Sequence, residues 1–133
     1  MRDFEEGDSA SFTKTITEAD LILYCGVSGD TNPLHLDAEY ASRTRYGQRI
    51  AHGMLTAGLI STVLGTKLPG AGAIYAGQTL RFLEPVFLGD TITATATVTA
   101  YNRERGRLTL TTVCRNQRDE EVLTGEADIV YRP

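Results

Sequence analysis

The sequence predicts a single α+β domain in which helices pack on one side of an antiparallel sheet. Helical patterns dominate residues 18–68, whereas residues 73–131 alternate apolar and polar side chains with a period of two. Helices followed by a run of strands with short polar turns are typical of α+β folds. A chain of 133 residues is long enough for one hydrophobic core, so residues 1–133 are interpreted as one domain.

A strand and a helix with a defined start are predicted at the beginning of the chain. Residues 9–16 alternate loosely enough to form a first strand. Thr17, followed three positions later by Asp20, matches a capping box, in which each side chain accepts a hydrogen bond from the other residue's backbone. We therefore expect a helix over residues 18–27 that begins directly after Thr17.

Two further helices are predicted before the chain changes to strands. Asp37 can cap a short helix over residues 38–46, which Gly47 is expected to end. Residues 51–68 lack strand alternation and predict a helix buried on most sides, although its glycines lower the helix propensity. We expect its small residues to let it approach the sheet closely. A loop rich in Pro and Gly over residues 65–73 should follow it.

Four antiparallel strands are predicted in the second half of the chain, over residues 73–83, 90–100, 107–114 and 121–131. The second of these alternates threonine with apolar residues, which indicates one face toward the core and one toward solvent. Its apolar face comprises Ile92, Ala94, Ala96, Val98 and Ala100. Thr111 and Thr112 interrupt the alternation of the next strand, so a bulge is predicted there.

Charge and composition exclude several classes of function. A net charge of -4 and an isoelectric point near 5.1 argue against nonspecific nucleic-acid binding, which requires a basic surface. No segment reaches the roughly 20 apolar residues that span a bilayer, and the start of the chain lacks a secretory pattern. We therefore predict a soluble, cytoplasmic protein without a membrane partner. Cys25 and Cys114 lack zinc-site or disulfide spacing and are expected to be free, partly buried thiols.

Polar and titratable side chains crowd into the stretch SGDTNPLHLD, residues 28–37. Asp30 and Asn32 favour turns because their side chains bond nearby backbone groups, and Pro33 makes this turn rigid. Taken singly, each residue has an adequate structural explanation. His35 changes that balance, because it is one of only two histidines in the chain and follows the rigid turn. The stretch is therefore the first candidate for a functional site.

Metal and nucleophile chemistry fit the sequence poorly. The stretch begins like a calcium loop, but Leu34 replaces an oxygen ligand and His35 replaces the sharp-turn glycine. Asp30, His35 and His52 could ligate iron or zinc, yet no spacing demands it, so neither a metal nor a cofactor is predicted. No serine stands in a nucleophile elbow, and there is no glycine-rich phosphate loop.

General acid–base chemistry is the alternative that remains. A carboxylate and an imidazole are readily poised for proton transfer near neutral pH. Asp30 and His35 are separated by a turn, so both could face one water molecule. Gly53 opens the predicted buried helix, where a free N–H can stabilise an oxyanion and the missing side chain admits a substrate. On their own, His52 and Gly53 would equally suit a plain helix start.

Four segments resemble the (R)-specific enoyl-CoA hydratases, also called MaoC-like or hydratase-2 domains. They are YCGVSGDTNPLHLD, IAHGMLTAGLIS, LPGAGAIYAGQTLRFLEPVFLGDTI and LTGEADIVY, and they span most of the chain in the order of that family. The resemblance implies a hot-dog fold, in which an antiparallel sheet wraps around a central helix. It also implies a homodimer with sites near the subunit interface.

The resemblance further implies a reaction and the residues that carry it. Asp30 and His35 would form a dyad that adds water to a trans-2-enoyl-CoA and yields the (R)-3-hydroxyacyl-CoA, with Asp30 as the base. Gly53 would supply the oxyanion N–H. Supporting or substrate-binding roles are expected for Ser28, Asn32, His52, Ser61 and Arg81. The acyl pocket is expected between the central helix and residues 68–77. Candidate contacts to CoA phosphates are Arg81, Arg103, Arg105 and Arg107.

Three alternative functions stay open. A dehydratase of the same fold would run this chemistry in reverse on acyl-carrier-protein thioesters with the same dyad. A hot-dog thioesterase would hydrolyse the C–S bond, a reaction that does not need the Asp-x-Asn-x-x-His arrangement. A non-catalytic module that binds acyl thioesters is disfavoured because Asp30, His35 and Gly53 are all present. Fold alone does not decide among them, since one fold hosts many functions.

Overall fold

Period-two alternation in the second half of the chain builds an antiparallel sheet, as the sequence predicts. The computed structural model describes residues 3–133, and within that range it contains one six-stranded sheet. Its strands are β1 (Ser9–Thr15), β2 (Ala73–Gln78), β3 (Arg81–Phe82), β4 (Thr91–Asn102), β5 (Arg107–Arg115) and β6 (Glu121–Tyr131). Their order is β1-β4-β5-β6-β2, β3 also pairs with β6, and every pairing is antiparallel.

The helices lie in the first half of the chain, which confirms the α+β class. They are α1 (Glu18–Ser28), α2 (Pro33–Leu36), α3 (Ala38–Ser42) and α4 (Gly53–Thr66). α1 begins at the predicted capping box. The Thr17 hydroxyl accepts from the Asp20 N–H at 3.3 Å, and the Asp20 carboxylate accepts from the Thr17 N–H at 2.9 Å.

α4, which the sequence predicts over residues 51–68, packs against the sheet and carries the centre of the core. Its largest buried side chains are Leu59, Ile60, Val63 and Leu64. Each contributes about 1.5–3 kcal/mol relative to an exposed position. Gly58, however, is exposed, and a Cβ added there would meet no heavy atom within 4 Å. The expectation that this glycine admits the sheet is therefore wrong, although the neighbouring Ala57 is buried.

The helix predicted over residues 38–46 is shorter than expected. The Asp37 side chain caps α3 as predicted, accepting from the Tyr40 N–H at 3.0 Å. The helix then ends at Ser42, because the N–H and the hydroxyl of Thr44 both donate to the Ala41 carbonyl and tighten the chain into a turn. The prediction of the start is confirmed, and the prediction of the end is wrong.

The strand predicted over residues 73–83 is divided into β2 and β3. Between them Thr79 leaves the ladder: its N–H donates to the Glu126 carbonyl at 2.9 Å and its hydroxyl accepts from the Glu126 N–H at 3.0 Å. The Thr79 carbonyl oxygen lies only 1.9 Å from where a Cβ of Gly125 would stand. A glycine at that position of β6 therefore allows the close approach that breaks the strand.

The sheet has register shifts in β2, in β4 and at the end of β5, but none at Thr111 and Thr112, where the sequence predicts a bulge. The register between β4 and β5 shifts between Val98 and Ala100, while the pairing through Thr111 and Thr112 is regular. Consequently Ala100 is exposed, although it was predicted to share the inward face with Val98. Thr112 points inward, fully buried, and its hydroxyl accepts from Gln78 Nε2 at 3.0 Å. The sequence pattern indicated a bulge because a polar residue, Thr112, occupies a buried position of the strand.

Both cysteines are free thiols, as predicted, and both are buried. Burial raises the pKa of the Cys114 thiol to about 12, so this group is a neutral core side chain at physiological pH. Across residues 3–133, no helix combines the length and the apolar composition that crossing a membrane requires.

Candidate active site

The end of α1 places Asp30. Gly29 adopts a left-handed conformation (φ 79°), and its N–H donates to the Cys25 carbonyl, which closes the helix. The Ser28 hydroxyl donates to the Tyr24 carbonyl at 2.7 Å and accepts from the Asp30 N–H at 3.1 Å. Ser28 thereby ties the backbone of Asp30 to the last turn of α1.

Asn32 shapes the turn between Asp30 and His35. Its side-chain oxygen accepts from the Leu34 N–H at 3.0 Å and caps α2, whose first residue is Pro33. Its own N–H donates to Asp30 Oδ1 at 3.2 Å. The backbone thus holds one carboxylate oxygen of Asp30, and the other has no partner among the described residues. The sequence did not predict α2, because a single helical turn is too short to show a helical period.

His35 is held by the segment that leads into α4. Its Nδ1 lies 2.8 Å from the Ile50 carbonyl oxygen, and since a carbonyl only accepts, Nδ1 carries the proton. In the neutral ring Nε2 therefore carries a lone pair and can accept a hydrogen bond. Arg49 Nε donates to the His35 carbonyl at 2.7 Å, while the same guanidinium forms a bidentate pair with Glu18 of α1. Both the ring and the backbone of His35 are consequently fixed.

His52 touches both members of the Asp30–His35 pair. It is 2% exposed, its ring stacks on the His35 ring with centroids 3.7 Å apart, and its Nε2 donates to the Asp30 carbonyl at 3.0 Å. The Tyr24 ring, at a centroid distance of 4.6 Å, also contacts it. His52 Nδ1 has no partner within residues 3–133. The buried ring therefore sets the spacing between Asp30 and His35.

The arrangement suits a water molecule better than a metal ion. One carboxylate oxygen of Asp30 and one ring nitrogen each of His35 and His52 lie within 4.8 Å of one another. Imidazole binds a metal through the lone pair of a ring nitrogen, but His52 Nε2 already donates its proton to the Asp30 carbonyl. A water between Asp30 and His35 needs about 2.8 Å to each acceptor, which this separation allows.

Gly53 begins α4 with an unpaired backbone N–H. The first N–H groups of a helix have no intrahelical acceptor, and the N–H of Gly53 has no other acceptor in the described part of the chain. The ring of Phe82 packs over this position so closely that a Cβ on Gly53 would lie 2.6 Å from Phe82 Cε1. A side chain at this position would collide with the ring.

These groups share one cavity of about 670 Å³, a size typical of small-molecule sites. Asp30, His35, His52 and Gly53 all line it. Its apolar wall comes chiefly from Phe82, Leu83, Pro85, Val86 and Leu123. Residues 68–77, predicted to line the acyl pocket, do not reach this cavity, because the chain returns to the site only after it has passed β2.

Several predicted residues lie outside the cavity. Ser61 is exposed on α4 and makes no contact with Asp30 or His35 within the chain, and Arg81 is exposed on β3 beside a lining residue. The remaining arginines predicted to contact phosphate lie near the turn between β4 and β5: Arg103, which pairs with Asp3, Arg105 and Arg107. The roles expected for Ser61 and Arg81 stay predictions.

Some lining residues escaped the sequence analysis. Thr56 lies one helical turn after His52, and Arg45 with Tyr46 follows α3. The adjacent apolar residues Phe82 and Leu83 could have indicated an exposed apolar surface, because neighbouring residues of a strand point to opposite faces. The arginine gave none: its position depends on the turn that ends α3 early.

Comparisons with known proteins show which proteins this chain resembles. A family model described as "MaoC like domain" matches residues 4–121. An (R)-specific enoyl-CoA hydratase of Rhodospirillum rubrum is 52% identical over 130 residues, which cover 98% of this chain and 90% of that protein. A mitochondrial 3-hydroxyacyl-[acyl-carrier-protein] dehydratase of Arabidopsis thaliana is 32% identical over 127 residues, covering 93% and 75%.

A solved structure extends the agreement to the fold. The (R)-hydratase from A. caviae superposes with a TM-score of 0.95 and 41% identity, and the match covers 100% of both chains. This similarity confirms the predicted hot-dog fold, an antiparallel sheet around a central helix.

Proposed function

The chain belongs to the MaoC-like family, and we propose that it hydrates trans-2-enoyl-CoA to (R)-3-hydroxyacyl-CoA in a reversible reaction. The observation that carries this proposal is the shared cavity, which is lined by Asp30 and His35, with a carboxylate oxygen and a ring nitrogen within 4.8 Å of each other, and by Gly53, whose N–H has no acceptor among the described residues. The 52% identity to a hydratase over nearly the whole chain supports the same chemistry.

In the proposed reaction, Asp30 and His35 each accept a hydrogen bond from the attacking water. The water donates one O–H to the Asp30 carboxylate and the other to His35 Nε2, which leaves an oxygen lone pair for the β-carbon. As the C–O bond forms, Asp30 takes the proton and the C=C electrons move to the thioester oxygen as an enolate. The pair then returns a proton to the α-carbon, which restores the thioester and balances the step.

The enolate oxygen requires a hydrogen-bond donor that is already in place. The N–H of Gly53 has this property, because it stands at the positive end of the α4 dipole without another acceptor. We therefore assign Gly53 as the oxyanion donor. The space that a side chain of Gly53 would take is occupied by the Phe82 ring, so the expectation that this space admits the substrate is wrong.

Gly53→Ala is expected to lower kcat/KM for crotonyl-CoA by about tenfold to a hundredfold. The new Cβ would lie 2.6 Å from Phe82, so the ring must move and both the donor and the cavity wall are disturbed. Gly26→Ala is the matched control, since this glycine of α1 is exposed and an added Cβ meets nothing within 4 Å. Steady-state kinetics of the two variants measure the effect. Unchanged turnover in Gly53→Ala would show that another group is the oxyanion donor.

His52 is proposed as a positioning residue and not as an acid or base. It contributes a hydrogen bond to Asp30 and a ring face to His35, while its Nδ1 is buried. Its removal should therefore change the rate of the chemical step more than substrate binding.

Two substitutions separate the contributions of His52. His52→Phe keeps a ring to stack on His35 but loses the donor to Asp30, and His52→Gln keeps a donor without the ring. Each is expected to lower kcat about tenfold or more with little change in KM, and to cost about 1 kcal/mol for the lost contact. Steady-state kinetics and thermal melts measure both effects. Wild-type kcat in both variants would rule out the positioning role.

The nature of the carrier separates the main proposal from its nearest alternative. The 32% identical plant dehydratase favours acyl-carrier-protein thioesters as the second candidate, since the Asp30–His35 chemistry is the same in both directions. The test compares the loss of enoyl absorbance with crotonyl-CoA and with crotonyl-acyl carrier protein, while a thiol reagent follows hydrolysis. We expect fast loss with crotonyl-CoA and no thiol release. Activity on the carrier protein alone supports the dehydratase, and thiol release supports a thioesterase.

We also propose that the protein is a homodimer. β2 is an edge strand of the sheet, and its residues Ile74 and Tyr75 are 52% and 41% exposed. A second copy paired along this edge would cover unpaired backbone and apolar surface together. The supporting roles predicted for Ser61 and Arg81 stay open, because a single chain leaves both outside its own cavity. Light scattering should give the mass of two 14.5 kDa chains. The cytoplasmic location and the lack of a nucleic-acid partner stay predictions.

A further inference from the structure

Arg45 stands where the catalytic cavity opens to solvent. It lines the cavity together with Asp30 and His35, yet the residue itself is exposed. Among the described residues that line the cavity, it is the single lysine or arginine. A lone cation at the entrance of a largely apolar cavity calls for an explanation.

No carboxylate neutralises Arg45 within residues 3–133. The nearby arginines of the same segment are paired, Arg43 with Glu39 at 3.2 Å and Arg49 with Glu18 at 2.7 Å. Glu84 also lines the cavity, but it forms no ion pair with Arg45. The guanidinium therefore keeps its positive charge available at the opening.

Tyr46 orients this guanidinium. Arg45 Nη2 donates to the Tyr46 hydroxyl at 2.8 Å, and the guanidinium carbon lies 4.9 Å from the centre of the Tyr46 ring. These contacts employ one N–H and one face, so the other N–H groups stay free in a planar fork. Such a fork matches the oxygen atoms of a phosphate, and holding it in place reduces the entropy lost on binding.

We propose that Arg45 binds the phosphate at the far end of the pantetheine arm of the thioester substrate. This inference rests on the proposed function, because only a thioester carrier brings a phosphate to this cavity. The same phosphopantetheine chemistry occurs in CoA and in acyl carrier protein. A protein of net charge -4 repels polyphosphates at long range, so it needs a local cation for them. Arg45 thus replaces Arg103, Arg105 and Arg107, which do not line the cavity, as the proposed phosphate contact.

Three crotonyl thioesters test this assignment: those of CoA, of phosphopantetheine and of pantetheine, which lacks phosphate. Arg45→Ala should raise KM about fivefold for the CoA and phosphopantetheine thioesters, which carry the phosphate. KM for the pantetheine thioester and kcat for all three substrates should stay unchanged. Arg45→Lys should fall between, since it keeps the charge without the fork. Arg43→Ala is the matched control, an exposed arginine of the same segment that does not line the cavity. Added salt should raise KM for the CoA thioester more in wild type than in Arg45→Ala.

The outcomes separate this inference from the proposed function. An equal KM for all three substrates in Arg45→Ala and wild type, or an equal rise with the pantetheine thioester, would overturn it. A rise with the CoA thioester alone would overturn the assignment to the pantetheine phosphate and point to the adenosine phosphates.

If wild type hydrates none of the three, the proposed function fails. In that case, calorimetric titration with CoA tests the phosphate contact of Arg45 separately. About fivefold weaker binding in Arg45→Ala supports the contact, and equal binding overturns it. A changed molecular mass of Arg45→Ala would assign the residue to the subunit interface instead.

Discussion

Asp30→Asn is expected to lower kcat/KM for crotonyl-CoA by about three orders of magnitude. The substitution removes the group that takes the proton of the attacking water and keeps nearly the same shape. The fold should survive, because an asparagine oxygen can accept from the Asn32 N–H as Asp30 Oδ1 does at 3.2 Å. The backbone bonds of the residue to Ser28 and His52 do not involve the side chain.

Asp37→Asn is the matched control for that experiment. Asp37 is an exposed carboxylate of the same stretch, but it caps α3 and does not line the cavity. Asparagine caps helices about as well as aspartate, so activity and melting temperature should stay close to wild type. If Asp30→Asn keeps near wild-type turnover, Asp30 is not the base.

His35→Ala is expected to lower kcat/KM by about two to three orders of magnitude. It removes the second acceptor for the water, Nε2, and leaves the Ile50 carbonyl without its 2.8 Å donor. The lost bond and the vacated space should reduce the free energy of unfolding by about 1–3 kcal/mol. Kinetics must therefore be measured at a temperature where circular dichroism shows the variant to be folded.

Added imidazole distinguishes a chemical role of His35 from a structural one. The variant vacates ring-sized space that borders the cavity, so imidazole from solution can enter and restore part of the rate. Asp30→Asn should show no such rescue, because its imidazole acceptor is still present. Wild-type turnover in His35→Ala without imidazole would contradict the assigned pair.

Local patterns predicted the parts of the fold that local forces decide. The capping box at Thr17 and Asp20, the Asp37 cap and the strand over 121–131 follow from neighbours in the sequence, and the structure confirms them. The misplaced bulge and the undivided strand have non-local causes, whereas the early end of α3 follows from the local bonds of Thr44 to Ala41. The break after β2 depends on Gly125 of β6, and the buried hydroxyl of Thr112 has its partner, Gln78 Nε2, on β2. No window along the sequence contains both partners.

The candidate site divides in the same way. Asp30, Asn32 and His35 sit within one turn, and that short spacing made the pair recognisable. The contact between His52 and Asp30 spans 22 positions, and Phe82 reaches Gly53 only through the pairing of β3 with β6. Arg45 enters the cavity because Thr44 ends α3 early. Tertiary packing alone reveals the contacts of His52 and Phe82.

The configuration of the product tests the central claim most directly, namely that this cavity delivers water to one face of a trans-2-enoyl-CoA. Purified protein is incubated with crotonyl-CoA beside Asp30→Asn, and the 3-hydroxybutyryl product is resolved by chiral chromatography. The predicted result is the (R) enantiomer alone from wild type and almost none from the variant. An (S) or racemic product, or equal yields from both proteins, would contradict it.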